Sequence, residues 1–261
     1  MGMNGTKGLL VGVLLAGMLG GCATQGNKDP LESMNRGIYK FNDTVDKAAI
    51  KPVAGAYKAV IPSPVRTGVN NFFTNLGTVI TIVNDLLQLK FDKAFTDTGR
   101  FAINTTFGIA GLIDVASMDG IEKNNEDFGQ TLGYWGWEDS TYLVLPFLGA
   151  STLRDAGGLV VDSAFIDPVY YVDHVPTRNS ALALKFVDRR SQYLPASDLL
   201  DEAALDPYAF MRDAYMQRRT SQIHDGNAPH EEWDDAEMDE EPAAQPAPAL
   251  ASTETASPEA K

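Results

Sequence analysis

Val79-Ile80-Thr81-Ile82-Val83-Asn84-Asp85-Leu86-Leu87-Gln88-Leu89 and, a little further on, Phe101-Ala102-Ile103-Asn104-Thr105-Thr106-Phe107-Gly108-Ile109-Ala110-Gly111-Leu112-Ile113 decide how this chain folds. The first stretch crowds seven aliphatic side chains into eleven positions, and the second has no charge at all. Both fall well short of the ~20 apolar residues that a membrane-crossing helix needs. Two readings stay open: helices buried in a protein core, or a helix pair lying in one bilayer leaflet, apolar on more than one side.

Outward from these stretches the pattern is helical. Asp29-Pro30-Leu31-Glu32 reads as a helix start, with Asp29 as N-cap, Pro30 at N1 and Glu32 at N3. Leu31, Met34, Ile38, Phe41 and Val45 then recur at helical steps, and Pro52 is expected to end or kink the helix. Ser63-Pro64 opens the next helix, with Val65, Val69, Phe72, Phe73 and Leu76 as its apolar stripe and Gly77 as its C′ residue. Thr78 is expected to cap residues 79–89, and Asp92 to cap a further helix ending near Gly108. Past a polar turn at 119–127 the period changes. Residues 130–137 and 141–147, rich in Thr, Tyr, Trp, Val and Leu, predict a β-hairpin turning at 138–140. Ser151 is expected to cap another helix, and helices are predicted over 180–193 and 207–219, the last opening on a second cap-then-proline pair, Asp206-Pro207. The expected fold is mainly α, with one β-hairpin.

The chain has 261 residues, 44% of them hydrophobic, and a formal charge of −14. That composition excludes a wholly disordered chain, and the acidity argues against nucleic acid as partner. The charge is concentrated: residues 225–261 hold eleven acids against Lys261 alone. Residues 224–261 are therefore expected to be a disordered acidic tail rich in Pro and Ala.

At the other end, Lys7 precedes twenty uncharged residues, 8–27, whose apolar core is only 9–19. A basic start, a short apolar region and a small-residue finish describe a secretory signal peptide rather than a transmembrane anchor. Leu19-Gly20-Gly21-Cys22 resembles a bacterial lipobox. Residues 1–21 would be removed, Cys22 would carry the lipid, and residues 22–28 would form a tether. Cys22 is the only cysteine, so no second thiol competes for it. Several acyl chains on one residue make attachment effectively permanent. By the sorting rule for lipoproteins, Ala23 after the cysteine implies the outer membrane.

A search for catalytic chemistry finds little. There is no Gly-x-Ser-x-Gly elbow, no P-loop and no dinucleotide glycine pattern. Of three histidines, His224 and His230 border the tail, and His174 beside Asp173 reads as a loop or core histidine before it reads as half of a triad. Asp119, Glu122, Glu126 and Asp127 lack EF-hand spacing and read as a solvated loop. No cofactor or metal is expected.

The lipobox is followed by Asp29-Pro30-Leu31-Glu32-x-x-Asn35-Arg36, Tyr39-x-Phe41-Asn42 and Pro62-x-Pro64-x-Arg66-x-Gly68. Arg100-Phe101-x-x-Asn104-x-x-x-Gly108, Gly111-x-Ile113-Asp114-x-Ala116 and Phe128-Gly129-x-Thr131-Leu132-Gly133 come next. Leu145-Pro146-Phe147, Leu153-Arg154-Asp155, Asp206-Pro207-Tyr208 and Arg212-x-x-Tyr215-x-x-Arg218 complete the series. In this order the chain resembles the MlaA (VacJ) family of outer-membrane lipoproteins, with residues 29–223 as the family's helical domain.

The resemblance implies a non-enzymatic protein: a ring-like bundle of amphipathic and leaflet-embedded helices around an amphipathic channel, associated with a trimeric outer-membrane porin. It implies passive removal of mislocalised phospholipid from the outer leaflet and delivery to a soluble periplasmic lipid carrier. It also shifts the two greasy stretches towards the leaflet, with Val79, Ile82, Leu86, Phe101, Ile109 and Leu112 as membrane-embedded candidates. Lys185, Arg189, Arg190, Arg212 and Arg218 are the channel or lipid-contact candidates, because guanidinium pairs its donors on phosphate. Asn42 and Asp43 match a stretch the family needs to stay gated, and a helix bend is the structural alternative. The family's Gly-x-Gly-x-Gly-Pro turn keeps Gly136 but has Glu138, Ser140 and Thr141 in its other places, which should stiffen a gating loop. A porin-accessory lipoprotein without transport of its own is the alternative, and a lipid hydrolase the third.

Overall fold

The computed structural model describes residues 29–228. The expected signal peptide, Cys22 and its tether, and residues 229–261 of the tail lie outside the described residues.

The described chain is mainly α with one hairpin, as expected, but several boundaries move. Helix α1 (Glu32–Val45) starts without a side-chain cap. Asp29 is instead buried, accepting from Asn35 Nδ2 at 2.9 Å and from the Tyr208 hydroxyl. Nor does Pro52 end the helix. A π-helical turn (Asp46–Ile50) carries α1 directly into α2 (Lys51–Val60). Proline's ring excludes the carbonyl four residues back, and a turn that bonds five residues back absorbs the misfit. The Lys51 amide makes that longer reach, to the Asp46 carbonyl.

Helix α3 (Ser63–Leu87) runs unbroken through Gly77 and Thr78, so neither residue caps anything. The Thr78 hydroxyl bonds back to the Thr74 carbonyl at 3.2 Å. Helix α4 (Phe91–Thr106) has Lys90 at its N-cap position, with Asp92 in its first turn. The second greasy stretch is thus half helix and half loop. A short α5 (Val115–Met118) follows, and then α6 (Phe128–Tyr134), which the sequence reading took for a strand. Asp127 decides that outcome by accepting the Gln130 amide at 2.9 Å, which nucleates a helix across residues of high β-propensity. The hairpin lies one segment later. β1 (Tyr142–Leu145) pairs antiparallel with β2 (Gly149–Thr152), Tyr142 opposite Thr152 and Leu145 opposite Gly149.

Thr152, not Ser151, caps α7 (Leu153–Val161), through the Asp155 amide at 3.1 Å. A second π turn (Asp162–Ile166) and a 3₁₀ turn (Pro168–Tyr171) lead to α8 (Val175–Ala203), which is longer than predicted and contains Pro195. Asp206 caps α9 (Pro207–Ile223) as expected, accepting the Tyr208 and Ala209 amides. Beyond α9, Asp225 bonds Lys90 at 2.8 Å and Lys93 at 2.6 Å, so the contacts of this unit continue past residue 223. The packing closes on itself: α1 on β1, β2 on α9, α9 on α6, α6 on α3, α3 on α8, and α8 back on α2.

The interior is polar. Among the described residues, 23 polar or charged residues are buried against ten hydrophobic ones, three of which are alanines. Globular cores have the reverse proportion. Along α3 the buried positions include Asn75, Thr78, Thr81, Asn84 and Asp85, continued by the buried Gln88 just past its end, while Val79, Ile80, Ile82 and Val83 are half-buried and Leu86 and Leu87 exposed.

Two asparagines on α1 stand in for a missing strand. Asn35 donates to the Tyr142 carbonyl at 3.1 Å and accepts the Val144 amide at 2.9 Å. Seven residues on, Asn42 donates to the Leu145 carbonyl at 2.9 Å and accepts the Phe147 amide at 2.8 Å. The open edge of β1 is thereby closed by side chains. On the other side of the hairpin, Arg219 joins three elements. It bonds both Asp127 oxygens at 2.6 and 2.7 Å and Asp155 at 2.8 Å, and Asp155 also accepts from Tyr215. Burial pushes both carboxyls up, but Arg219 more than offsets it and holds them below the usual carboxylate range. Here α6 and α7 touch backbone to backbone: a Cβ on Gly158 would lie 2.4 Å from the Gly129 nitrogen.

Asp85 is the exception to this pairing. It is fully buried, and neither carboxyl oxygen has a hydrogen-bond partner. Burial first, then the facing carboxyls of Asp97 and Glu126, push it up to about 7, against a weaker opposing pull from Lys93. Asp97 keeps one oxygen on Asn124 at 2.9 Å and leaves the other unpaired. A proton held on Asp85 supplies the donor this site lacks.

Two outcomes follow for detergent-solubilised protein. Asn35→Leu strands a buried amide and carbonyl, so thermal unfolding followed by circular dichroism should show a loss of about 2–4 kcal/mol; a loss under about 1 kcal/mol would mean that β1 finds other partners. For Asp85 the folded state binds more protons than the unfolded one between the ordinary carboxylate value and about 7. Stability should therefore fall as pH rises through that window and level off above it. Asp85→Asn should flatten the slope across that window, from the ordinary carboxylate value to about 7; an unchanged slope would place the titration elsewhere.

Candidate functional site

The outer surface carries what the interior lacks. Around α3 and α4 the exposed side chains are Leu86, Leu87, Leu89, Phe91 and Phe95, the last 83% exposed. The loop after α4 adds Phe107, Ile109, Leu112 and Ile113. That loop satisfies backbone groups internally while showing apolar side chains outward. The Ala110, Gly111 and Ile113 amides donate to the carbonyls of Thr105, Asn104 and Gly108 at 2.9–3.0 Å, and Asn71 Nδ2 reaches the Leu112 carbonyl at 3.2 Å. Beneath it, Asp114 ties the chain to α4 through Arg100 and Asn104. Irregular backbone tolerates an apolar medium only when its polar groups are occupied in this way. Clustered apolar side chains on a protein surface mark contact with a membrane or a partner.

The membrane-embedded candidates divide accordingly. Leu86, Ile109 and Leu112 are exposed, while Val79, Ile82 and Phe101 are half-buried. Phe91, Phe95 and Phe107 were missed, although the first two lie between the greasy stretches and Phe107 within the second. No described helix is long and apolar enough to cross a membrane.

The basic candidates do not converge on one point. Lys185 pairs with Asp167 at 3.1 Å. Arg190 on α8 grips Asp46 of the first π turn through two bonds of 2.7 Å, which fastens α8 to the α1–α2 rod. Arg212 bonds its neighbour Asp213 at 2.8 Å and lies 3.9 Å from Asp29. Arg189 and Arg218 are exposed, with no hydrogen bond or ion pair to the described residues. Of the gating candidates, Asn42 holds the hairpin turn, and Asp43 pairs with Lys47 at 2.9 Å. Gly136 is not in a hairpin; it ends α6 at φ +107°, donating to the Gly133 carbonyl at 3.0 Å.

One cavity of about 250 Å³ lies between the first turns of α3 and the middle of α8. Ser63, Arg66, Thr67 and Asn70 line one side, with Asp188, Ser191 and Gln192 opposite. Arg66 was not singled out from the sequence, although it is the only charged residue between Lys58 and Asp85. A lone guanidinium in so apolar a segment was the available signal.

The catalytic candidates take structural parts. His174 caps α8, its Nδ1 accepting the Thr177 amide at 3.3 Å. Among the described residues no group of three or more His, Cys, Asp or Glu is placed to hold a metal ion.

With this geometry in hand, the likeness to known proteins is specific. A family model described as MlaA lipoprotein matches residues 27–222. The intermembrane phospholipid transport system lipoprotein MlaA of Haemophilus influenzae is 35% identical over 231 residues, 85% of this chain and 92% of that protein. The protein of the same name from Escherichia coli K12 is 37% identical over 210 residues, 77% of this chain and 82% of that one. An uncharacterized protein of Rickettsia typhi is 36% identical over 195 residues, 75% of this chain and 78% of that protein. A solved structure described as the structural basis for maintenance of bacterial outer membrane lipid asymmetry superposes with a TM-score of 0.65 at 34% identity, covering 75% of this chain and 98% of that one. An inward polar stripe, an outward apolar belt and a family match spanning almost all the described helices agree: the chain belongs to the MlaA lipoprotein family.

Proposed function

We propose that this protein is an outer-membrane lipoprotein, anchored through Cys22 on the periplasmic side and embedded in the bilayer. It removes mislocalised phospholipid from the outer leaflet and passes it to a soluble periplasmic carrier, beside a trimeric porin. The observation that carries this reading is the inverted distribution of polarity: buried Asn, Thr, Asp and Gln within, exposed Leu and Phe without. A headgroup costs several kcal/mol to bring into hydrocarbon unaided. A bundle that is apolar outside and polar inside offers the headgroup a polar path while the acyl chains keep their own medium. The movement is downhill, and the reading assigns the chain no catalytic group. The names of the H. influenzae and E. coli relatives support transport, and the solved relative's description supports a role in lipid asymmetry.

The test uses a strain lacking its own copy and measures surface-exposed phospholipid after complementation with this chain. Wild type should lower surface phospholipid to the parental level. Phe95→Asp combined with Phe107→Asp places two charges on the apolar belt, each costing about 2–4 kcal/mol in a bilayer, and should abolish rescue without unfolding the protein. Rescue by the double variant would overturn the leaflet-embedded reading. Wild type that co-purifies with a porin yet leaves surface phospholipid unchanged would favour the accessory role instead.

A further inference from the structure

The cavity between α3 and α8 holds two opposite charges that do not meet. Arg66 makes no hydrogen bond and no ion pair with the described residues, and its Nε is buried without an acceptor. Asp188, 3% exposed, has no cation within ion-pair distance. Its oxygens accept from the Tyr57 hydroxyl at 2.9 Å and Gln192 Nε2 at 2.8 Å, which fix the carboxylate and still leave lone pairs open. A guanidinium and a carboxylate that share a cavity would ordinarily close on each other. Here they do not pair, and Ser63, Thr67, Asn70 and Ser191 add hydroxyl and amide groups to the same lining. The space has the volume of roughly eight waters, enough for a small polar group and too little for acyl chains.

We propose that this cavity is a headgroup site for a zwitterionic phospholipid, with Arg66 taking the phosphate and Asp188 the ammonium. Resting on the transport reading above, it assigns the cargo a headgroup class. The phosphate finds the paired donors of a guanidinium at the N-terminal end of a 25-residue helix, whose dipole favours an anion. The ammonium finds a carboxylate already oriented by Tyr57 and Gln192. An anionic lipid without an amine would satisfy Arg66 and leave Asp188 facing a like-charged or neutral group.

The experiment is binding of dihexanoyl phosphatidylethanolamine, dihexanoyl phosphatidylglycerol and inorganic phosphate to the full chain in detergent, by titration calorimetry. Wild type should bind the ethanolamine lipid at least tenfold more tightly than the glycerol lipid, and inorganic phosphate more weakly than either. Arg66→Gln should weaken both lipids about tenfold or more. Asp188→Asn, which keeps the shape and can still meet Tyr57, should weaken the ethanolamine lipid alone and erase the preference. Tyr57→Phe should reduce the same preference and serves if Asp188→Asn does not fold. Equal binding of both lipids by wild type, or a preference that survives Asp188→Asn or, in its place, Tyr57→Phe, overturns the proposal. So does inorganic phosphate binding as tightly as the lipid, which marks a free-anion site. Rescue of surface phospholipid by wild type alongside any of these results leaves transport standing and removes only the headgroup site. Failure of that rescue removes the transport reading itself.

Discussion

An apolar exterior leaves the polar groups of a chain nowhere to go but inward. Each buried polar group must therefore find a partner within the fold or carry a desolvation cost. The structure meets this demand with side chains more than with sheet. Arg219 clamps Asp127 and Asp155, so that α6, α7 and α9 cannot separate without exposing three charges. Asn104 and Arg100 converge on Asp114 under the apolar loop. Asn84 bridges the Ile80 carbonyl of its own helix and Asp162 at 3.0–3.1 Å. A conventional hydrophobic core hardly exists: Tyr142, Val144 and Tyr208 form a small cluster, and two of the three are phenols.

That inversion explains which parts of the fold were legible in the sequence. Helix content, the Asp206 cap and the start at Ser63-Pro64 were plain because they are local, set by caps and proline geometry. The run of apolar residues at 79–89 was visible too, but the same window carried its complement. Asn75, Thr78, Thr81, Asp85 and Gln88 recur at helical steps and mark the face that is buried. Apolar periodicity assumes that the greasy side points in; here the polar side is buried, and Gly77-Thr78 looked like a helix end although the helix runs through both and Thr78 belongs to that inner stripe. The hairpin was misplaced for a related reason. Trp135 and Trp137 suggested strand, yet both face outward, at 61% and 45% exposure, and Asp127 starts a helix ahead of them. Pro52 suggested an end or a kink because sequence reading gives proline only local meaning.

The site was less legible than the fold. Cations chosen for their chemistry were mostly engaged in joining elements, as Arg190 is with Asp46, and ion pairing across 144 residues of sequence cannot be seen from either end. Arg66 was visible as an isolated charge, but its significance lies in what it fails to touch. Asn42 was singled out from the family motif and proves to hold the turn of the hairpin, together with Asn35 one helical heptad earlier.

The two π turns carry a geometric consequence of their own. In a helix each residue turns the chain by about 100°, so one residue more than a turn needs swings everything beyond it round the axis by that amount. At residues 46–50 this lets a single continuous rod serve two neighbours on different sides: α1 presents its asparagines to the hairpin, while α2 presents Tyr57 to α8. The turn at 162–166 ends α7 in the same manner before the chain crosses to α8. The added residue works as a set angle at a joint, and once the turn is formed the size of that angle follows from residue count. Side-chain changes along α1 would be absorbed locally, whereas losing one residue from that turn would re-aim the whole of α2.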